Sequence, residues 1–165
     1  MSSRRVSARV APAFHPKEVE GALDASGLRF TVVCSRWNPT VTDALLRTAL
    51  ETLERRGAKA AAVRVVRVPG AFELPAAARF ALSRAKQDVI IVLGAIVKGE
   101  TSHHEVLGHA VASALAALSV ETGRPIGFGL LTCDTMDQAR QRAGKGAEAA
   151  EAAIQMANLK RRRMS

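Results

Sequence analysis

Two adjacent histidines open the stretch of this chain best suited to chemistry. The run Gly99-Glu100-Thr101-Ser102-His103-His104-Glu105 follows the apolar segment Val89 to Val97 and precedes a long Ala-, Leu- and Val-rich segment. Ser102 and Glu105 have the spacing of a capping box, which predicts a helix from Ser102 to about Thr122. His103 then stands in the first turn, where backbone N–H groups and the helix dipole favour an anion. A proton-carrying imidazole beside a phosphate seat suits general acid–base work. The plainer alternative is an exposed histidine in a capping turn. A metal reading fits poorly, since there is no H-E-x-x-H and His109 lies six residues from His103.

Three other loops carry unusual residues. Ser35-Arg36-Trp37-Asn38-Pro39 places the single tryptophan in a turn, where it can stack on a planar ligand or fill a core. Val68-Pro69-Gly70-Ala71-Phe72-Glu73 puts Phe72 and Glu73 at a helix start. Phe72 reads equally as a hydrophobic staple or a ligand contact, and Glu73 as a dipole partner or an acceptor for a ligand N–H. Leu131-Thr132-Cys133-Asp134 ends the last apolar segment. Arg142 can complement a helix C-terminus or grip an anion, and Lys98 lies near the anion seat. Gly127-Phe128-Gly129 falls inside an apolar segment and is too short to claim a dinucleotide.

The elements that must position these loops alternate. Strands are predicted at Leu28 to Cys34, Ala62 to Val68, Val89 to Val97 and Ile126 to Leu131. Helices are predicted at Thr40 to Arg56, Phe72 to about Lys86, Ser102 to Thr122, Asp134 to Arg142, and onward to about Leu159. Four strands alternating with helices imply an α/β fold with a four-stranded parallel sheet covered on both faces. All four strand-end loops then rise on one edge, where open sheets of this kind hold ligands.

Composition bounds the rest. The chain has 165 residues, enough for one core. No apolar run approaches the roughly 20 residues of a membrane span, and the basic N-terminus lacks a signal core. Cys34 and Cys133 read as buried thiols in a reducing, cytoplasmic setting. Of the net charge of +9, residues 1–27 hold +1 and residues 160–163 hold +4. An RNA-binding role through this basic tail is therefore a weaker reading than a solvated end. Residues 1–27 read as a flexible arm or edge-strand extension, 28–159 as the domain, and 160–165 as a basic tail.

The loops together resemble the lumazine synthase family. The matching blocks are Ser35 to Asn38, Val68 to Pro75, Leu93 to His103, Phe128 to Thr132, Gln138 to Gly144 and Ala157 to Leu159, in order and in register. The resemblance implies a flavodoxin-like three-layer sandwich that assembles as pentamers or multiples of them, with sites at subunit interfaces. It implies the condensation of 5-amino-6-(D-ribitylamino)uracil with 3,4-dihydroxy-2-butanone 4-phosphate to 6,7-dimethyl-8-ribityllumazine, the penultimate step of riboflavin biosynthesis. It implies neither cofactor nor metal, and it makes riboflavin synthase a candidate partner.

By that resemblance Trp37 stacks on the pyrimidine. Ala71, Phe72 and Glu73 hold the ribityl chain and pyrimidine, and Ala95, Ile96 and Val97 contact the same substrate. Glu100 and Thr101 belong to the phosphate loop, and His103 transfers protons. Phe128 and Arg142 come from a neighbouring subunit, the arginine gripping phosphate, and Glu148 is a candidate acid orienting His103 across the interface. Trp37 stands where Phe is commoner, and Lys98 where Arg is common. The passage from Gly144 directly to Lys145 is shorter than in many members, in a loop associated with closed sixty-subunit shells. A non-catalytic flavin binder on the same scaffold is the alternative, and intact His103 and Arg142 argue against it.

Overall fold

The computed structural model describes residues 14–83 and 86–163. Its strands are β1 (Phe30–Ser35), β2 (Val63–Val68), β3 (Val89–Val97) and β4 (Ile126–Cys133). Its helices are α1 (Pro39–Arg55), α2 (Leu74–Leu82), α3 (His103–Thr122), α4 (Met136–Arg140) and α5 (Lys145–Arg163). The strands form one all-parallel sheet in the order β2-β1-β3-β4. This is the flavodoxin-like order without a fifth strand, and its direction of winding switches between β1 and β3.

The central strand β3 is buried from Val89 to Ile96, as a strand covered on both faces must be. On one face α1 and α5 cover it, with Leu45, Ala49, Leu53 and Ile154 against Phe30, Val32, Ile91 and Leu93. On the other face α2 and α3 supply Leu74, Ala78, Val111 and Leu115 against Val33, Ile90, Val92 and Leu130. The result is the expected three-layer sandwich. Gly127 and Gly129 serve packing: a Cβ on Gly127 would run into the Ala149 carbonyl oxygen of α5.

Several boundaries differ from the expectation, for local reasons. The helix expected from Phe72 begins as a 3-10 turn, Ala71–Glu73, and ends at Leu82 rather than near Lys86. Ser83 Oγ donates to the Phe80 carbonyl (2.7 Å) in the last turn, and Lys86 has φ of 78°, outside the helical region. Strand β4 runs two residues further than Leu131 because β3 offers partners up to Val97↔Cys133.

The last helix continues past Leu159 to Arg163. Lys160 Nζ donates to the Gly123 carbonyl (2.7 Å), Arg161 to Gly27 (3.1 Å) and Arg162 to Glu20 (2.9 Å). Three of the tail's cations are therefore bonded to the body of the chain. Residues 164 and 165 lie outside the described residues, as does the arm before Phe14. Residues 14–27 contain no strand; they cross α5, where Asn158 Nδ2 donates to Ala22 and Asp24 carbonyls. Gly21 lies so close that a Cβ would meet the Gln155 carbonyl.

Helix α3 is buried along a narrow stripe only, Gly108, Val111, Leu115 and Leu118. Between Val106 and Val120 it holds no Asp, Glu, Lys or Arg, yet Val106 is 65% and Val120 83% exposed. This leaves an apolar, uncharged helix face open to solvent on the single chain.

Candidate active site

The first cleft sits above the C-terminal ends of β1 and β3, at the switch point where such sheets hold ligands. It has a volume of about 380 Å³. Trp37, Ala71, Phe72, Glu73, Ala95, Ile96, Val97, Thr101 and His103 all line it. Nine of the residues singled out in the sequence thus meet in one place. Trp37 and Phe72 are 72% and 70% exposed, so both rings offer a face to a ligand or a neighbour rather than filling the core.

Local bonds explain how the loops reach this arrangement. Trp37 N–H donates to the Pro69 carbonyl (3.2 Å) and Arg36 N–H to Val68 (2.8 Å), tying the first loop to the second. Asn38 takes the left-handed conformation (φ 59°, ψ 57°), and its Nδ2 donates to the Ala95 carbonyl (2.9 Å). That bond fixes the Trp37 loop to the end of β3. Asn38 escaped notice as a positioning residue, although an Asn before Pro tolerates this conformation and carries the signal. Glu73 Oε2 accepts the Gly70 N–H (2.9 Å), which closes the 3-10 turn beneath Phe72.

The start of α3 departs from the expectation. Ser102 occupies the cap position but its side chain makes no capping bond, so the predicted box with Glu105 does not form. The backbone of Ser102 has φ −74° and ψ 7°, not the extended geometry a side-chain cap needs. Its carbonyl instead accepts the Glu105 N–H (3.0 Å), and Thr101 Oγ1 accepts the His103 N–H at 3.4 Å. The side-chain cap that does form lies at α4, where Thr135 Oγ1 accepts the Gln138 N–H (3.2 Å), while Gln138 Oε1 accepts the Asp134 N–H (3.0 Å) rather than closing a reciprocal box on Thr135. The helix expected from Asp134 to Arg142 thus runs from Met136 to Arg140 with Thr135 as its cap, and the T-x-x-Q spacing was the cap's signal.

His103 is exposed at the cleft. His104 turns inward: its ring Nδ1 lies 3.1 Å from the Thr101 carbonyl, and Nε2 lies 3.8 Å from Glu105. It lines the first cleft and also a second one, a contact that was not anticipated.

The second cleft lies along α3, β4 and the α4 end, with a volume of about 590 Å³. Phe128 and Arg142 line it, with Glu105, His109, Cys133, Asp134 and Gln138. The chain therefore does not bring Phe128 and Arg142 into the cleft of Trp37 and His103. Burial pushes the Cys133 thiol up, the Arg142 guanidinium pulling the other way and Asp134 adding to the rise. Glu100 and Lys98 are exposed and line neither cleft. Glu148 lines neither as well, and its carboxylate pairs with Lys145 Nζ at 2.6 Å. Among the described residues, no helix is long and apolar enough to cross a membrane.

Comparison with known proteins agrees with this geometry. A family model described as 6,7-dimethyl-8-ribityllumazine synthase matches residues 27–161. A 6,7-dimethyl-8-ribityllumazine synthase of Desulfotalea psychrophila (strain LSv54 / DSM 12343) is 43% identical over 149 residues, covering 87% of this chain and 96% of the relative. Span and identity together place the chain in a family of enzymes: it belongs to the 6,7-dimethyl-8-ribityllumazine synthases.

Proposed function

We propose that the chain condenses 5-amino-6-(D-ribitylamino)uracil with 3,4-dihydroxy-2-butanone 4-phosphate at a site completed by a second copy of itself. The observation that carries this reading is the division of the site residues. The stacking ring, the ribityl segment and His103 line one cleft, whereas Phe128 and Arg142 line another. In a ring of identical subunits the same two surfaces meet at every contact, so each first cleft faces a neighbour's second cleft. The open apolar face of α3 and the exposed rings of Trp37, Phe72 and Phe128 suit such burial. The assembly is a pentamer or a multiple of it. We place it in the cytoplasm, where the two buried thiols stay reduced, with riboflavin synthase as a candidate partner.

Within this site Trp37 stacks on the pyrimidine, and Ala71, Phe72 and Glu73 with Ala95, Ile96 and Val97 hold the pyrimidine and its ribityl chain. Glu100, Thr101 and the N–H groups opening α3 seat the phosphate with Arg142 of the neighbouring copy. The primary amine attacks the ketone carbonyl and water leaves to give an imine. Phosphate is then eliminated, the enol rearranges, and the ribityl-bearing nitrogen closes the ring with loss of a second water. His103 carries protons between nitrogen, carbon and oxygen in these steps. Holding the two substrates together supplies several kcal/mol, up to about 7–11 in ideal cases. Glu148 can orient His103 only from the neighbouring copy, exchanging Lys145 for the imidazole.

The test mixes purified protein with both substrates and follows lumazine absorbance and phosphate release together. Equal amounts of lumazine and phosphate, formed without added cofactor, are expected. Riboflavin binding with no lumazine formed would overturn the reading in favour of a flavin binder.

A further inference from the structure

Arg142 is held from both sides by groups of which only Gln138 and Asp134 line its cleft. Upstream, the β4–α4 turn closes on itself: Thr135 Oγ1 accepts the Gln138 N–H (3.2 Å), and Gln138 Oε1 accepts the Asp134 N–H (3.0 Å). This pair fixes where α4 begins. At the other end, Arg142 N–H donates to the Ala139 carbonyl (3.1 Å), and its Nη1 donates to the Gln138 carbonyl (2.8 Å). Downstream, Thr48 Oγ1 reaches across from α1 to the Ala143 carbonyl at 2.7 Å. Helix α4 has five residues, too few to be stable alone, so bonds at its ends set its direction. Thr135 and Thr48 line neither cleft.

We propose that Thr135, Gln138 and Thr48 are positioning residues that aim the Arg142 guanidinium at the phosphate ester of the ketone substrate. The proposal rests on the phosphate role given to Arg142 above. A guanidinium recognises phosphate through paired, directional N–H bonds, so its aim matters as much as its charge. Freeing the start of α4 lets the whole short helix, and the arginine beyond it, drift.

The experiment measures KM for each substrate, kcat, and competitive inhibition by inorganic phosphate. Thr135→Ala is expected to raise KM for the phosphate ketone and weaken phosphate inhibition about fivefold, the cost of a lost cap. KM for the pyrimidine should stay within twofold, and Thr135→Ser should restore the original values. In an Arg142→Ala background, Thr135→Ala should add less than about twofold, because the group it positions is gone. Thr48→Val repeats the test from the opposite side of the turn should Thr135→Ala fail to assemble. Equal behaviour of the Ala and Ser variants, or a full Thr135→Ala effect without Arg142, would overturn the positioning role alone. If Arg142→Ala leaves phosphate-ketone KM and phosphate inhibition unchanged, the phosphate role of Arg142 falls first and this proposal with it.

Discussion

Removing the indole of Trp37 tests the floor of the proposed pyrimidine site. Trp37 leaves 72% of its surface open. A tryptophan can bury about 150–250 Å², so roughly 140 Å² remains available, about half of it on each ring face. Covering one face with a flat heterocycle at about 25 cal/mol per Å² contributes about 1.8 kcal/mol. The stacked pair adds about 0.5–1.5 kcal/mol beyond area. Trp37→Ala should therefore weaken pyrimidine binding by about 40- to 230-fold, since each 1.4 kcal/mol is tenfold. Trp37→Phe keeps a stacking face and should stay within about fivefold. Trp37 is the only tryptophan in the chain, so quenching of indole fluorescence reads occupancy directly in the unaltered protein. Steady-state KM and calorimetric binding of the lumazine product read it in the variants. A Trp37→Ala protein with normal sedimentation and a pyrimidine KM within threefold of the original would refute the stacking argument. A loss of assembly with normal affinity would assign the indole to the subunit contact instead.

Other consequences can be checked alongside. His103→Ala should lower kcat by about 10²- to 10⁴-fold while leaving sedimentation unchanged; an unchanged kcat removes the proton-transfer role. Arg142→Ala should raise KM for the phosphate ketone far more than for the pyrimidine, with equal changes in both counting against it. Burial pushes the Cys34 thiol up to about 11, opposed by Arg67 and reinforced by Asp43. The folded chain thus holds this proton more tightly than the unfolded chain, whose thiol titrates near 9.0. The resulting stability is present below pH 9 and is lost as pH rises through 11. Urea midpoints of Cys34→Ala should accordingly fall less steeply than those of the parent across that window; parallel curves would contradict the burial argument.

Periodicity and punctuation made much of this molecule legible before any coordinates. The β3 apolar run, the Gly123-Arg124-Pro125 break and the loop blocks located the strands, the sheet and the first cleft, because each element buries a face whose period is written in the residue types. Boundaries were harder, because distant partners set them. Strand β4 is as long as β3 requires, and α5 runs on because carbonyls of Gly27 and Gly123 await its cations. Two S/T-x-x-E/Q patterns stand at helix starts, and spacing alone does not tell which caps: Ser102 sits in near-helical geometry, whereas Thr135 is extended. That Phe128 and Arg142 line a different cleft from His103 has no local sequence pattern either; only the family resemblance pointed to it. The Asn38 clamp on Ala95 joins residues 57 positions apart and likewise has no local pattern beyond its Asn-Pro dipeptide.

The shared site is tested most directly by mixing two impaired chains, assayed at a phosphate-ketone concentration well below the KM of Arg142→Ala. His103→Ala and Arg142→Ala subunits, co-expressed in equal amounts, would each lack one half of every site in their own assemblies. If each site takes His103 from one copy and Arg142 from its neighbour, random mixing restores about a quarter of the sites, pairing an intact histidine with an intact arginine. Activity near a quarter of the parent's is the expected result. Activity no higher than the average of the two variants alone would mean that each chain builds its site by itself.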